Sequence, residues 1–151
     1  MKKLFILIAF VAVLSFYGCS EDEITNPQHD HYEAFGMNIY KHDTLYMKIL
    51  NAKIDDNYNS YFDIDINAEA EIFNIVFLDE NGNEMKNPEN DEMKLDFVIS
   101  DTSIVKAYIW VNSKWEFVLD GLKRDSTAIE IRLNHIDHPD FKTPLIPVIV
   151  K

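Results

Sequence analysis

A single cysteine stands among the 151 residues, which excludes an intrachain disulfide and any four-cysteine metal site. Four glycines and five prolines are too few for collagen-like or low-complexity character. Basic residues are scarce: 14 Lys and Arg face 26 Asp and Glu, a net charge of −12. Such a chain lacks the cationic footprint that grips phosphate backbones, so nucleic acid is not an expected partner. No window of ten or more residues sustains a 3.6-residue apolar period, so the pattern does not call for long amphipathic helices. There is no G-x-S-x-G elbow, no phosphate-cradling glycine loop and no H-E-x-x-H, and the chain is not expected to be an enzyme. What is present is apolar: 47% hydrophobic and 13% aromatic, enough to bury the core of one domain.

Lys2 and Lys3 precede Leu4 to Phe16, thirteen residues that are apolar except for Ser15. A spanning helix needs about 20 apolar residues, so this segment fits the hydrophobic region of a signal peptide. Tyr17-Gly18-Cys19 follows. A small residue directly before a lone cysteine at this place resembles the lipobox of bacterial lipoproteins. Phe16 stands where that family usually has Leu, and Tyr17 is bulkier than usual. The resemblance implies a signal peptide over residues 1–18 and acylation of the Cys19 thiol. The alternative is a plain secretory signal with an incidental cysteine. Ser20-Glu21-Asp22-Glu23 resembles the acidic surface-export signal of Bacteroidetes-type lipoproteins, and reads equally as a solvated tether. Ser20 is similar to the residue that sorts lipoproteins to the outer membrane. The expected location is therefore the bacterial outer membrane, lipid-anchored, facing the periplasm or the cell surface.

Cleavage before Cys19 removes two lysines and no acids, leaving 12 basic against 26 acidic residues, a net −14. Anionic lipid repels such a chain, so membrane attachment would rest on the acyl chains, at about 0.8 kcal/mol per buried methylene. Residues 19–31 are then the lipidated cysteine and an acidic tether without apolar periodicity, reaching about 40 Å when extended.

From residue 32 to 151 the texture is β. Phe62, Ile64, Ile66 and Ala68 alternate with polar residues, as do Met93, Leu95, Phe97 and Ile99, and again Ile129, Ile131 and Leu133. Each run has the period of a strand with one wet face. Ile72 to Leu78 is nearly all apolar and reads as a central strand, ending at an Asn81-Gly82 turn signal. Met37–Tyr40, Leu45–Leu50 and Leu145–Val150 are shorter strands, and about nine strands spaced 8–12 residues apart predict a sandwich or barrel. If Asn112-Ser113 is a two-residue loop, Trp110 faces Trp115 and Tyr108 faces Phe117 on one side of a hairpin. That cluster is either core or an exposed platform for a glycan or protein partner. Ser100 to Ala107, Gly121-Leu122 and Ser126 to Ile131 resemble the late strands of bacterial immunoglobulin-like domains. Asp125 stands where that family usually has a glycine. The resemblance covers about a third of the chain and implies an all-β, immunoglobulin-like β-sandwich, with no function attached.

Four of the five histidines are paired: His29 with His31 on the tether, and His135 with His138 before Pro139. Imidazole suits zinc, copper and nickel, and flanking carboxylates favour any cation. His at i and i+2 of an extended segment point the same way. The candidate ligands are His29, His31, His135 and His138, with Glu33, Asp137 and Asp140 as secondary candidates, and the cofactor is zinc or copper. The competing reading makes both pairs solvated polar loops. His42 reads as a hairpin-turn residue. Asp79 to Asn83 is oxygen-rich, but Gly82 comes fourth and Asn90 twelfth, which misses the calcium-loop pattern and leaves a turn. Two functions follow: an envelope lipoprotein that binds a transition metal, or a structural or adhesive module displaying a surface to a protein or glycan.

Overall fold

The alternating segments become two facing sheets. In a computed structural model, which describes residues 32–66 and 71–151, the described residues contain eleven strands. They are β1 (Gly36–Lys41), β2 (Thr44–Leu50), β3 (Lys53–Ile54), β4 (Phe62–Ile64), β5 (Glu71–Leu78), β6 (Met93–Ile99), β7 (Val105–Ile109), β8 (Glu116–Gly121), β9 (Asp125–His135), β10 (His138–Lys142) and β11 (Ile146–Val150). One sheet runs β3-β2-β1-β5-β8-β7. The other runs β10-β9-β11-β4, with β6 along the opposite side of β9. Among the described strands only the β11–β4 pair is parallel. The chain is thus an all-β, two-layer sandwich, as its immunoglobulin-like pattern predicts. The count exceeds the nine expected because β3 and β10 were not recognisable. The first has two residues, and the second is His-Pro-Asp-Phe-Lys, with no alternation. Of the expected strand from Phe62 to Ala68, only Phe62–Ile64 is strand, and Asn67 and Ala68 lie outside the described residues.

The core is the seam between the layers. Met37, Ile39, Phe73, Ile75, Phe77 and Phe117 project from the first sheet, and Leu95, Ile129, Ile131, Leu133 and Val148 from the second. Phe62, Phe73 and Phe117 meet with ring centroids 5.0–6.0 Å apart. Burying each such side chain contributes about 1.5–3 kcal/mol. Strand β5 is central as expected, with β1 on one side and β8 on the other. Gly36 is required where β1 crosses β2, because a Cβ there would lie 2.2 Å from the Ile49 carbonyl oxygen.

The turns follow local chemistry. Lys41 pairs with Thr44, leaving His42 (φ 48°) and Asp43 (φ 59°) as a two-residue loop with both residues left-handed. His42 is therefore the turn residue its position predicted. Gly82 (φ 79°) lies in the Asp79 loop, whose carboxylate accepts hydrogen bonds from the Asn81 and Asn83 amides at 2.9 and 2.8 Å. The Asn83 side chain adds a further bond and, with these amides, holds the Asp79 carboxyl below its ordinary range. The loop closes on a single bridge, Leu78 to Glu84, rather than on a second long strand.

The β7–β8 hairpin differs from its expected register. Ile109 faces Phe117 and Tyr108 faces Val118, one residue away from the two-residue-loop pairing. Asn112 adopts φ 64°, and the Ser113 hydroxyl accepts from the Trp115 and Glu116 amides. This lengthens the loop and slips the register, and a one-residue slip moves side chains to the opposite face. The four aromatics are consequently divided. Trp115 packs edge-on to Phe77 and Phe117 is fully buried, whereas Tyr108 and Trp110 are 41% and 37% exposed on the outer face.

Candidate metal centre

Strand β9 carries its alternation one step past the apolar run. After Ile129, Ile131 and Leu133, the next residue on the core face is His135, which is 2% exposed. The chain then reverses over Ile136 and Asp137, and His138 pairs back onto His135. Ile136 sits at φ 56°, an unfavourable conformation for a β-branched residue. On β10, His138 and Asp140 are two residues apart, and the Asp140 side chain is 4% exposed. A buried ionisable side chain of this kind requires polar or cationic company.

Three residues meet at this turn. His138 Nε2 lies 3.4 Å from Asp140 Oδ1, and His135 Nδ1 lies 3.9 Å from Asp140 Oδ2. The two imidazoles have centroids 5.7 Å apart. His135, His138 and Asp140 each offer one ligand atom, and those atoms lie within 4.8 Å of one another. Tetrahedral zinc with bonds of about 2.0–2.1 Å needs ligand atoms about 3.3 Å apart. The contact between His138 Nε2 and Asp140 Oδ1 already has that spacing, and the three-atom group, which spans up to 4.8 Å, would have to contract around an ion. Two nitrogens and one oxygen form a donor set for zinc, copper or nickel rather than for calcium.

Neighbouring elements close around the group. The Tyr32 amide donates to Asp140 Oδ2 at 3.2 Å. Tyr32 is itself held by its ring against Phe77, at 5.5 Å, and by its hydroxyl on the Lys86 carbonyl at 2.9 Å. Burial pushes the Tyr32 hydroxyl pKa up to about 12. Glu92, just before β6, has Oε2 3.4 Å from His135 Nε2, and its carbonyl accepts from the Ile136 amide at 3.1 Å. Asp137 Oδ1 lies 3.3 Å from His138 Nδ1.

Of the candidate ligands, the fold therefore brings His135, His138 and Asp140 together. Asp137 touches the outer nitrogen of His138, and Glu33 is exposed and outside the group. Cys19, His29 and His31 lie outside the described residues. Glu92 is the participant that sequence reasoning missed. Its signal was faint: an acid directly ahead of an alternating strand, 43 residues from the histidine it meets.

The fold and site define an all-β sandwich with a His-His-Asp group at one hairpin turn. No protein-family model matches the chain, and no curated protein matches it. Among solved structures, domains 4 and 5 of the S-layer protein SbsC are similar, with a TM-score of 0.43 at 15% identity, over 61% of this chain and 47% of that chain. The match thus spans about half the length of that chain.

Proposed function

We propose that this protein is a lipid-anchored bacterial envelope protein that binds zinc or copper at His135, His138 and Asp140. The observation that carries the reading is the gathering of three ligand atoms within 4.8 Å, two of them on nearly buried side chains. His29 and His31, the other histidine pair of the sequence, are proposed as further ligand candidates and lie outside the described residues. Acyl chains on Cys19 supply the anchor, at the outer membrane.

Titration of zinc and of copper into the detergent-solubilised protein at pH 7.5 tests the metal reading. The expected result is one ion per chain with a Kd below about 10 μM, roughly −7 kcal/mol. Binding should also raise the melting temperature, because the unfolded chain cannot hold the ligands together. Absence of binding would move the interaction-module reading ahead. That second reading has its own support in Tyr108, exposed on edge strand β7, and Trp110, exposed just after that strand, where a glycan or protein could dock. The anchor is tested separately. Cys19→Ala should release the protein from carbonate-washed membranes, and retention there would defeat the lipoprotein reading.

A further inference from the structure

We infer that the outer face of the β3-β2-β1-β5-β8-β7 sheet binds a neutral oligosaccharide, laid across the strands between Trp110 and Tyr40; this rests on the second reading above, in which the face is an interaction surface, and involves no metal. Register assembles the face from β1, β5, β8 and the end of β7. Phe73, Ile75 and Phe117 project into the core, so Asn74 and Glu116 point outward. These two are cross-strand partners, and Tyr40 is in turn the partner of Asn74. On the other side the Trp110 amide donates to the Glu116 carbonyl at 2.8 Å. One row therefore reads Trp110, Glu116, Asn74, Tyr40. Neighbouring strands lie about 4.8 Å apart, so the row is about 14 Å long. A second row runs beside it, in which Tyr108 pairs with Val118 and Val118 with Ile72. A cleft of about 200 Å³ opens here, lined by Tyr40, His42, Asp43, Ile72, Asn74 and Glu116.

A pyranose ring has apolar C–H faces and a rim of hydroxyls that both donate and accept. The face offers a counterpart to each. Tyr108 and Trp110, 41% and 37% exposed, supply rigid apolar area that loses little entropy on binding. The Tyr40 ring at the far end is already held in place, since its hydroxyl donates to Glu84 and accepts from the Asn38 amide at 3.4 Å. Between the aromatics, Asn74 offers amide donors and an acceptor, and Glu116 offers a carboxylate that accepts from hydroxyls.

Layout and charge narrow the occupant. A protein interface keeps an apolar centre inside a polar rim, whereas here the polar pair is central in the row and aromatics flank it. The acidic side chains of the cleft are Asp43 and Glu116, on a chain of net charge −12. Such a surface repels acidic glycans and anionic lipid headgroups and accepts an uncharged, hydroxyl-rich chain.

The test is calorimetry and tryptophan fluorescence on the full chain, in a detergent without a sugar headgroup. The probes are cellohexaose, chitohexaose, xylohexaose and mannohexaose, with polygalacturonate as the acidic control. At least one neutral probe should bind with a Kd below about 1 mM and shift the tryptophan emission, and polygalacturonate should not bind. Trp110→Ala should weaken binding by about 10-fold or more, and Asn74→Ala by about 3–10-fold, with melting temperatures unchanged. Trp110→Phe should keep most of the affinity and lose most of the emission change, because the remaining Trp115 packs against Phe77. No binding of any neutral probe, binding of the acidic control alone, or sugar binding that survives Trp110→Ala would overturn this inference. Self-association in sedimentation that Trp110→Ala abolishes, with no sugar bound, would overturn it too and leave the interaction-surface reading standing on a protein partner. Neither sugar binding nor such association would defeat both.

Discussion

Two hairpin turns of this sandwich have the same loop length and opposite fates. At β1–β2, Lys41 pairs with Thr44 around His42 and Asp43. At β9–β10, His135 pairs with His138 around Ile136 and Asp137. Both loops have two residues, and both have a His beside an Asp. In the first, the histidine occupies the loop itself, at φ 48°, and projects from the tip into solvent. In the second, the histidines occupy the arms, where strand alternation carries His135 onto the core face. The loop position that favours a left-handed conformation is taken there by Ile136 instead. What separates a polar turn from a ligand cluster is thus the register of the histidine relative to the core, and not its acidic neighbours.

Removing a histidine from each turn should break the comparison most sharply. His135→Ala should weaken zinc or copper binding by about 100-fold or more, because three converging ligands act as a unit, whereas His42→Ala should leave affinity unchanged within about two-fold. Calorimetry on the two variants decides it. In wild type the affinity should fall steeply from pH 7.5 to pH 5, since imidazole ligates only when neutral. Equal small losses from both variants would mean that burial of His135 has no bearing on binding.

A smaller effect concerns the loop residues. Ile136→Gly should stabilise the metal-free protein by about 1 kcal/mol, since a left-handed conformation costs a non-glycine residue about 1–2 kcal/mol and the half-exposed side chain gives up little burial. Asp43→Gly at the first turn should gain less, because Asp tolerates that conformation better than a β-branched residue does. Thermal melts in chelator resolve the pair. A lower melting temperature for Ile136→Gly would show that its side chain packs more than its exposure suggests.

The smallest effect sharpens the comparison at the strand that enters beside β10. The Tyr32 hydroxyl titrates near 12 in the folded chain against 10.0 ordinarily. The folded state therefore holds this proton more tightly than the unfolded state does. The contribution is fully present below pH 10 and is lost as pH rises through 12. Denaturant unfolding between pH 9 and 12 should show a decline that is shallower in Tyr32→Phe. That variant should also lose about 1 kcal/mol at pH 8 with the bond to the Lys86 carbonyl. An unchanged slope would place the titrating group elsewhere.

Strands β6 and β9 were legible because alternation with one apolar face leaves few other ways to bury Met93, Leu95, Phe97 or Ile129, Ile131, Leu133. The same alternation, extended by two, would have put His135 in the core, so half of the site was implicit in a pattern already noticed. The His42 turn was legible from local chemistry. The aromatic hairpin was legible as a hairpin but not in register, because the loop's length depends on the backbone at Asn112 and on bonds to the Ser113 hydroxyl. Strand β10 was invisible, since His-Pro-Asp-Phe-Lys has no alternation and Phe141 is its only β-former. It exists because it can pair with β9.

The residues that the sequence by itself determined are those whose conformation is decided within a few neighbours: period-2 strands and left-handed turn positions. The tertiary structure alone decided which polar groups meet. Pairing β6 with β9 places Met93 opposite His135, and so sets Glu92 beside an imidazole 43 residues away. Packing Tyr32 on Phe77 sets its amide on Asp140, 108 residues away. No local preference encodes such encounters. They follow from burying two apolar sheet faces against each other, which brings the ends of distant strands to one place.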